Sequence, residues 1–208
     1  ARKALLLVPV HLVNGLMKRH IPEWRARTNV SLTFHVLAGQ PKAARKRICE
    51  SNAPGVYVLP YSLLSATDAM DMLNTIDADM VVADEAHKLK NPRSACSKRI
   101  LHFMRNREVK PIGVFMSGSM TTKSIMEYHH LLDLALEDES PLPRRATYAY
   151  TWGMVVDSGG TPSPGLVAGS MGKVISWANS LYKEEKSEFN TRVAVSNARN
   201  AYRRRLVT

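Results

Sequence analysis

The sequence predicts an α/β protein: a parallel sheet flanked by helices. Three observations carry this. Five short apolar runs have the length and composition of strands: Ala4–Val8, Ser31–Val36, Gly55–Leu59, Met80–Ala83 and Ile112–Met116. Segments with helical character separate them, and strands alternating with helices argue for a parallel sheet. The run Met80–Ala83 is apolar throughout, as a strand buried on both faces must be. It delivers two adjacent carboxylates, Asp84 and Glu85, and the carboxyl ends of strands are where open α/β sheets bind ligands.

The first run follows Arg2 and Lys3, an order that imitates a secretion signal. His11 and Asn14 cut the apolar run short and no small-residue cleavage site follows, so a buried strand is expected. Helices are expected over Asn14–Arg19, Pro41–Glu50, Leu63–Thr75 and Ser94–Arg105. Asp68 and Asn91 sit where a helix cap or a turn belongs, and Pro92 suits a first helical turn. A further helix is expected from about Thr122 to Leu136, with Ile125, Leu131, Leu132 and Leu136 as its apolar positions. Composition then changes. Glu139–Pro143 reads as a connector and Asp157–Gly165 as a Gly- and Pro-rich loop. Between them, the aromatic stretch Tyr148–Gly153 is expected to pack a small core, with base stacking as the alternative. Ile175–Tyr182 and Arg192–Leu206 look helical. The expected organisation is a lobe over residues 1–138 and a connector with a helical extension over residues 139–208.

The chain has 208 residues, 45% of them hydrophobic, enough for a core. No apolar run is long enough for a membrane span, so no membrane partner is expected. Cys49 and Cys96 are the two cysteines, without metal-ligand spacing, which suits free thiols in a reducing compartment. The net charge of +11 is uneven. Residues 1–50 hold ten Lys and Arg against two acids, residues 51–139 nine against twelve, and residues 140–208 ten against four. An acidic middle between basic ends suits a polyanion such as a nucleic-acid backbone; a solubilising surface is the plain alternative.

A buried strand ending in Asp-Glu is how nucleoside triphosphatases present metal-holding and water-activating groups. Asp84 would hold the Mg²⁺ of Mg-ATP, largely through water. Glu85 would orient and deprotonate the attacking water. The competing reading is an acidic helix N-terminus, where carboxylates complement the macrodipole.

The longer string decides for chemistry. Asp84 to Asn91 reads DEAHKLKN, which resembles motif II of superfamily 2 helicases, specifically of the Swi/Snf-type DNA translocases. Ala4–Trp24 resembles their motif Ia, a strand, a Pro, and a helix ending near Pro-x-Trp. Gly55–Ser65 is similar to their strand followed by Tyr-x-Leu-Leu. Ile112–Leu136 resembles motif III, with Ser117-Gly118-Ser119 as its triplet, although Met120 stands where Pro is frequent. The four segments occur in the family's order and cover roughly the first two thirds of the chain.

The resemblance implies the first RecA-like motor lobe of a DNA-dependent ATPase. It implies ATP and Mg as cofactors, contacted by Asp84, Glu85 and His87, and Asp84 as the metal's residue. It implies that His87, Ser117, Gly118 and Ser119 couple the nucleotide to DNA. It implies that Pro9, His11, Asn14, Lys18 and Arg19 meet DNA, most simply duplex, and that a second lobe of the same protein closes the site. The sequence holds no phosphate loop of the form G-x-x-x-x-G-K-[ST]; Gly172-Lys173 is followed by Val174 and lies after motif II. The lobe is therefore expected to lack its first strand and phosphate loop, and the chain alone to be inactive while the parent is an ATP hydrolase. Two alternatives stay open: a non-catalytic nucleic-acid-binding or scaffold module derived from such a lobe, and another superfamily 2 enzyme such as a restriction-type translocase. Location would be intracellular, cytoplasmic in a prokaryote or virus and nuclear in a eukaryote. His129-His130 lacks a third ligand at metal spacing and is read as surface or packing.

Overall fold

All five apolar runs form strands of one parallel sheet in the computed structural model, which describes residues 2–28, 30–118 and 124–157. They are β1 (Lys3–Val8), β2 (Phe34–Val36), β3 (Gly55–Pro60), β4 (Met80–Asp84) and β5 (Ile112–Met116), in the order β2-β3-β1-β4-β5. This is a RecA-like arrangement. Ser119, the start of the expected Thr122 helix, the loop beyond Asp157 and the two C-terminal helices of the sequence reading lie outside the described residues. The chain divides into two compact units, Ala1–Met120 and Thr121–Thr208.

Register sorts the side chains of the first unit. Leu5 pairs with Tyr57 and Val81, and Leu7 with Leu59 and Ala83; all six are fully buried on one face. The other face presents Val8, Val56 and Val58, packed against Val13, Leu16 and Met17. Helices therefore cover both faces, and the strands read as continuous apolar runs. At β5 the pattern changes: Ile112, Val114 and Met116 are exposed. One glycine is needed for space, and a second stands where a side chain would displace its neighbours. Gly55 has φ +139° and a Cβ there would meet the Thr33 carbonyl at 2.5 Å. A Cβ on Gly113 would lie 2.9 Å from the Met104 methyl.

The first helix runs well past the expected Arg19. It comprises α1 (Val13–Gly15), a π-helical turn (Leu16–His20) and α2 (Ile21–Arg27). Pro22 lacks an N–H and crowds the preceding turn, and the wider π-turn accommodates it without ending the helix. β2 is shorter than the run Ser31–Val36. The guanidinium of Arg25 takes the Leu32 carbonyl at 2.6 Å and also lies over the Phe34 ring, so the edge strand starts later.

α3 (Lys42–Glu50), α4 (Ala69–Ile76) and α5 (Ala95–Arg105) follow, α4 packing against both of the others. The expected helix over Leu63–Thr75 is split. Tyr61–Ser65 is a 3-10 turn, Ala66 is extended, and α4 begins after Asp68. Arg99 donates to the Leu64 carbonyl, a group that a continuous helix would have used itself. Asp68 stands at the N-cap without a capping hydrogen bond; its carboxylate faces Arg45 at 3.6 Å. Pro92 lies in the turn before α5, not in its first turn, because Ser94 caps that helix by accepting from the Ser97 amide.

In the second unit the expected Thr122–Leu136 helix is also interrupted. Ser124 caps a short 3-10 turn (Ile125–Glu127), Tyr128 leaves helical geometry at φ −126°, and α6 (His129–Leu136) starts beyond it. His129 and His130 are both buried; Nε2 of His129 donates to the Pro143 carbonyl at 2.7 Å. The aromatic stretch lies in a helix, α7 (Ala146–Val156), that buries Ala149 and Trp152 and leaves Tyr148 and Tyr150 exposed.

Candidate functional site

Parallel register brings four strand exits to one edge of the sheet. Val8 stands opposite Pro60, Leu7 opposite Ala83, and Asp84 opposite Met116. The residues that follow, Pro9, Tyr61, Glu85 and Ser117, therefore gather at the carboxyl edge of the first unit.

Glu85 leaves β4 in the left-handed region, φ 54° and ψ 49°. For a non-glycine residue this conformation costs about 1 kcal/mol or more, and it persists only where neighbours hold it. Both poles of the Asp84–Glu85 peptide are held. Its N–H donates to Oδ1 of Asp84 at 3.0 Å, and its carbonyl accepts from the Tyr61 hydroxyl at 2.7 Å. The turn beyond it (Ala86–Leu89) is anchored by fully buried Ala86 and Leu89. The Leu89 carbonyl accepts from the Ser97 hydroxyl at 2.9 Å, which ties the turn to α5.

The side chains of the turn converge. Nδ1 of His87 lies 3.1 Å from a Glu85 carboxylate oxygen and 3.2 Å from Oγ of Ser117. An ionised carboxylate only accepts, so a proton on Nδ1 serves both contacts. The Glu85 carboxyl is 40% exposed, open to solvent water. Gly118 is exposed, and an added Cβ would meet nothing within 4 Å, so crowding does not demand a glycine there.

Tyr61 was not singled out from sequence, although it belongs to the Tyr-x-Leu-Leu segment. Burial, and then the negative charges of Asp84 and Glu85, push its phenol pKa well above the usual tyrosine range, so it remains a donor. Its own backbone is fastened by α5. The Cys96 thiol donates to the Tyr61 carbonyl at 3.4 Å and lies 3.1 Å from the Ser65 hydroxyl.

Among the described residues no group of three or more His, Cys, Asp or Glu side chains could hold a metal. The half-buried Asp84 has one carboxylate oxygen engaged by the Glu85 amide and a second oxygen with which to meet a cation. This fits Mg²⁺, which brings water and phosphate oxygens of its own, and does not fit a metal caged by protein alone.

The residues expected at DNA separate into two groups. His11, Asn14 and Lys18 are exposed on the helix that leaves β1. Pro9 is buried, with its carbonyl accepting from the Leu12 amide at 3.0 Å. Arg19 is exposed but ion-paired with Glu23 at 3.1 Å. The densest basic triplet is not a uniform patch: Arg45 is largely buried on Asp68, whereas Lys46 pairs with Glu50 at the surface. No described helix is long and apolar enough to cross a membrane.

The SNF2-related domain family matches residues 1–148. A stretch of 55 residues is 40% identical to a Caenorhabditis elegans protein named as a transcriptional regulator ATRX homolog. That stretch is 26% of this chain and 4% of the relative, so the chain matches a small part of that protein's length.

Proposed function

The chain belongs to the SNF2-related domain family, and from that premise we propose that it forms most of the first motor lobe of an ATP-driven DNA translocase. The family is of Swi/Snf-type, helicase-like DNA-dependent ATPases, whose general cofactors are ATP and Mg²⁺ and whose partner is DNA. The observation that carries the finer reading is the junction at the carboxyl edge. There, His87 joins the Glu85 carboxylate at the end of β4 to the Ser117 hydroxyl at the end of β5.

In this reading each residue has a separate task. Glu85 accepts the proton of the attacking water, to which its exposure gives access. Asp84, one of whose carboxylate oxygens is engaged by the Glu85 amide, would hold the Mg²⁺. The metal, when bound, neutralises phosphate charge. His87 and the Ser117-Gly118-Ser119 loop relay the state of the nucleotide site. His11, Asn14 and Lys18 meet the DNA backbone, with Arg19 and the backbone around Pro9 contributing at the same edge. The 208 residues contain no phosphate-loop string, so hydrolysis requires a phosphate cradle supplied from outside them, together with a second lobe.

Glu85→Gln in the full-length protein tests the reading, since it removes the base and keeps the shape. Turnover of ATP should fall by roughly a hundredfold or more, the typical contribution of a positioned base. Binding of a fluorescent ATP analogue should stay near the unsubstituted affinity. Near-normal hydrolysis would remove Glu85 from the mechanism. Loss of nucleotide binding without any DNA-stimulated hydrolysis in the unsubstituted protein would favour a non-catalytic DNA-binding module.

A further inference from the structure

We infer that Tyr61 is a positioning residue for the hydrolytic step: its hydroxyl holds the Asp84–Glu85 peptide so that the Glu85 carboxylate is aimed at the reacting water. This rests on the proposed role of Glu85 and deepens it.

The Asp84 carbonyl and the Glu85 N–H belong to one rigid unit. Rotation of that unit changes φ of Glu85, and φ of Glu85 decides where its side chain points. The observed φ of 54° is unfavourable for glutamate. Relaxation to an ordinary negative φ would turn the carbonyl away from its present partner and swing the carboxylate off His87. That carbonyl accepts from the Tyr61 hydroxyl at 2.7 Å.

The reach of this contact is unusual. Tyr61 follows β3 and Asp84 ends β4, and β1 lies between those strands. Neighbouring strands are about 4.8 Å apart, so the ring must span roughly twice that distance across the end of β1. A side chain used at full stretch needs a fixed base, and α5 provides it. Cys96 donates to the Tyr61 carbonyl and Arg99 donates to the Leu64 carbonyl, both in the 3-10 turn that carries Tyr61. A purely structural role would be different: the hydroxyl would satisfy a half-buried carbonyl, and its loss would lower stability without changing the rate per folded molecule.

The test uses the full-length protein with Tyr61→Phe, Glu85→Gln and the double substitution, each assayed for DNA-stimulated ATP hydrolysis. Loss of one hydrogen bond that aims the base should lower kcat about tenfold, with KM for ATP changed by less than about twofold. Added to Glu85→Gln, Tyr61→Phe should lower turnover no further, because no carboxylate is left to aim. Unchanged kcat per folded molecule would overturn the inference, as would an equal fractional fall in both backgrounds. Retained turnover in Glu85→Gln alone would instead overturn the functional reading beneath it. A second measurement uses the 208-residue chain. Tyr61→Phe should shift the backbone amide resonance of Glu85 and leave those of α3 in place; an unmoved Glu85 amide overturns the inference.

Discussion

His87 offers one ring nitrogen to two partners, and that sharing defines what Ser117 can do. The Glu85 contact at 3.1 Å and the Ser117 contact at 3.2 Å both use Nδ1. Removing the Ser117 hydroxyl leaves the Glu85–His87 pair intact but cuts its link to the end of β5. Ser117→Ala in the full-length motor should therefore spare basal ATP hydrolysis and reduce DNA-driven movement. A hydrogen bond worth about 1 kcal/mol corresponds to roughly a fivefold loss in movement per ATP hydrolysed. Displacement of a third DNA strand, measured beside the hydrolysis rate, checks this. Equal falls in both rates would show that Ser117 belongs to the chemistry and not to coupling. The residues of this cluster were legible because each stands just past a strand, where side chains of neighbouring strands must meet. Tyr61 was not, because its contact crosses 23 residues and an intervening strand. Strand order, which one sequence does not give, decides that distance.

Elements were legible where a single period ruled them and illegible where a side chain took a backbone group. β1, β3 and β4 emerged within a residue of their apolar runs because buried parallel strands leave no choice of face, and β5 emerged over its whole run although none of its residues is buried. β2 and the split before α4 departed because Arg25 and Arg99 claim the carbonyls of Leu32 and Leu64. α7 was missed because Tyr, Thr and Gly are weak helix formers and the exposed Tyr150 blurs the helical period. α5 emerged close to its expected span, but its cap, Ser94, was not singled out in the sequence, and it carries more than its helix. Ser94 accepts from the Ser97 amide and donates to the Ser97 hydroxyl, which in turn donates to the Leu89 carbonyl in the turn behind Glu85. Ser94→Ala should cost about 1 kcal/mol of stability, as loss of a cap does. Asp68→Ala, at a cap position with no capping bond, acts only through Arg45. Denaturant titration of the 208-residue chain compares them with the unsubstituted protein. A Ser94→Ala chain as stable as its parent would mean that the cap is dispensable.

Charge belongs to the whole molecule, and the count overstates what can reach a polyanion. The net charge is +11, yet several cations are committed internally. Arg25 holds the Leu32 carbonyl, Arg45 faces Asp68, Arg107 pairs with Asp77, and Arg144 bridges Asp133 and Asp138. Lys18 is exposed on the helix leaving β1, at the edge proposed for DNA. Binding to duplex DNA should therefore be weak, tolerant of sequence and sensitive to salt. Each phosphate neutralised should steepen the fall in affinity by roughly 0.9 log units per log unit of salt. Lys18→Ala should make the slope shallower by about that single increment, because it removes one phosphate contact and disturbs no internal bond. Arg25→Ala should leave the slope alone and lower stability, because its guanidinium serves the β2 edge. Fluorescence anisotropy with a labelled duplex, repeated across a salt series for the three proteins, separates these outcomes. If Lys18→Ala left the slope unchanged while Arg25→Ala flattened it, the DNA surface would have to be moved from the β1 exit to the β2 edge. A binding curve indifferent to salt would remove the phosphate backbone as the partner of this lobe.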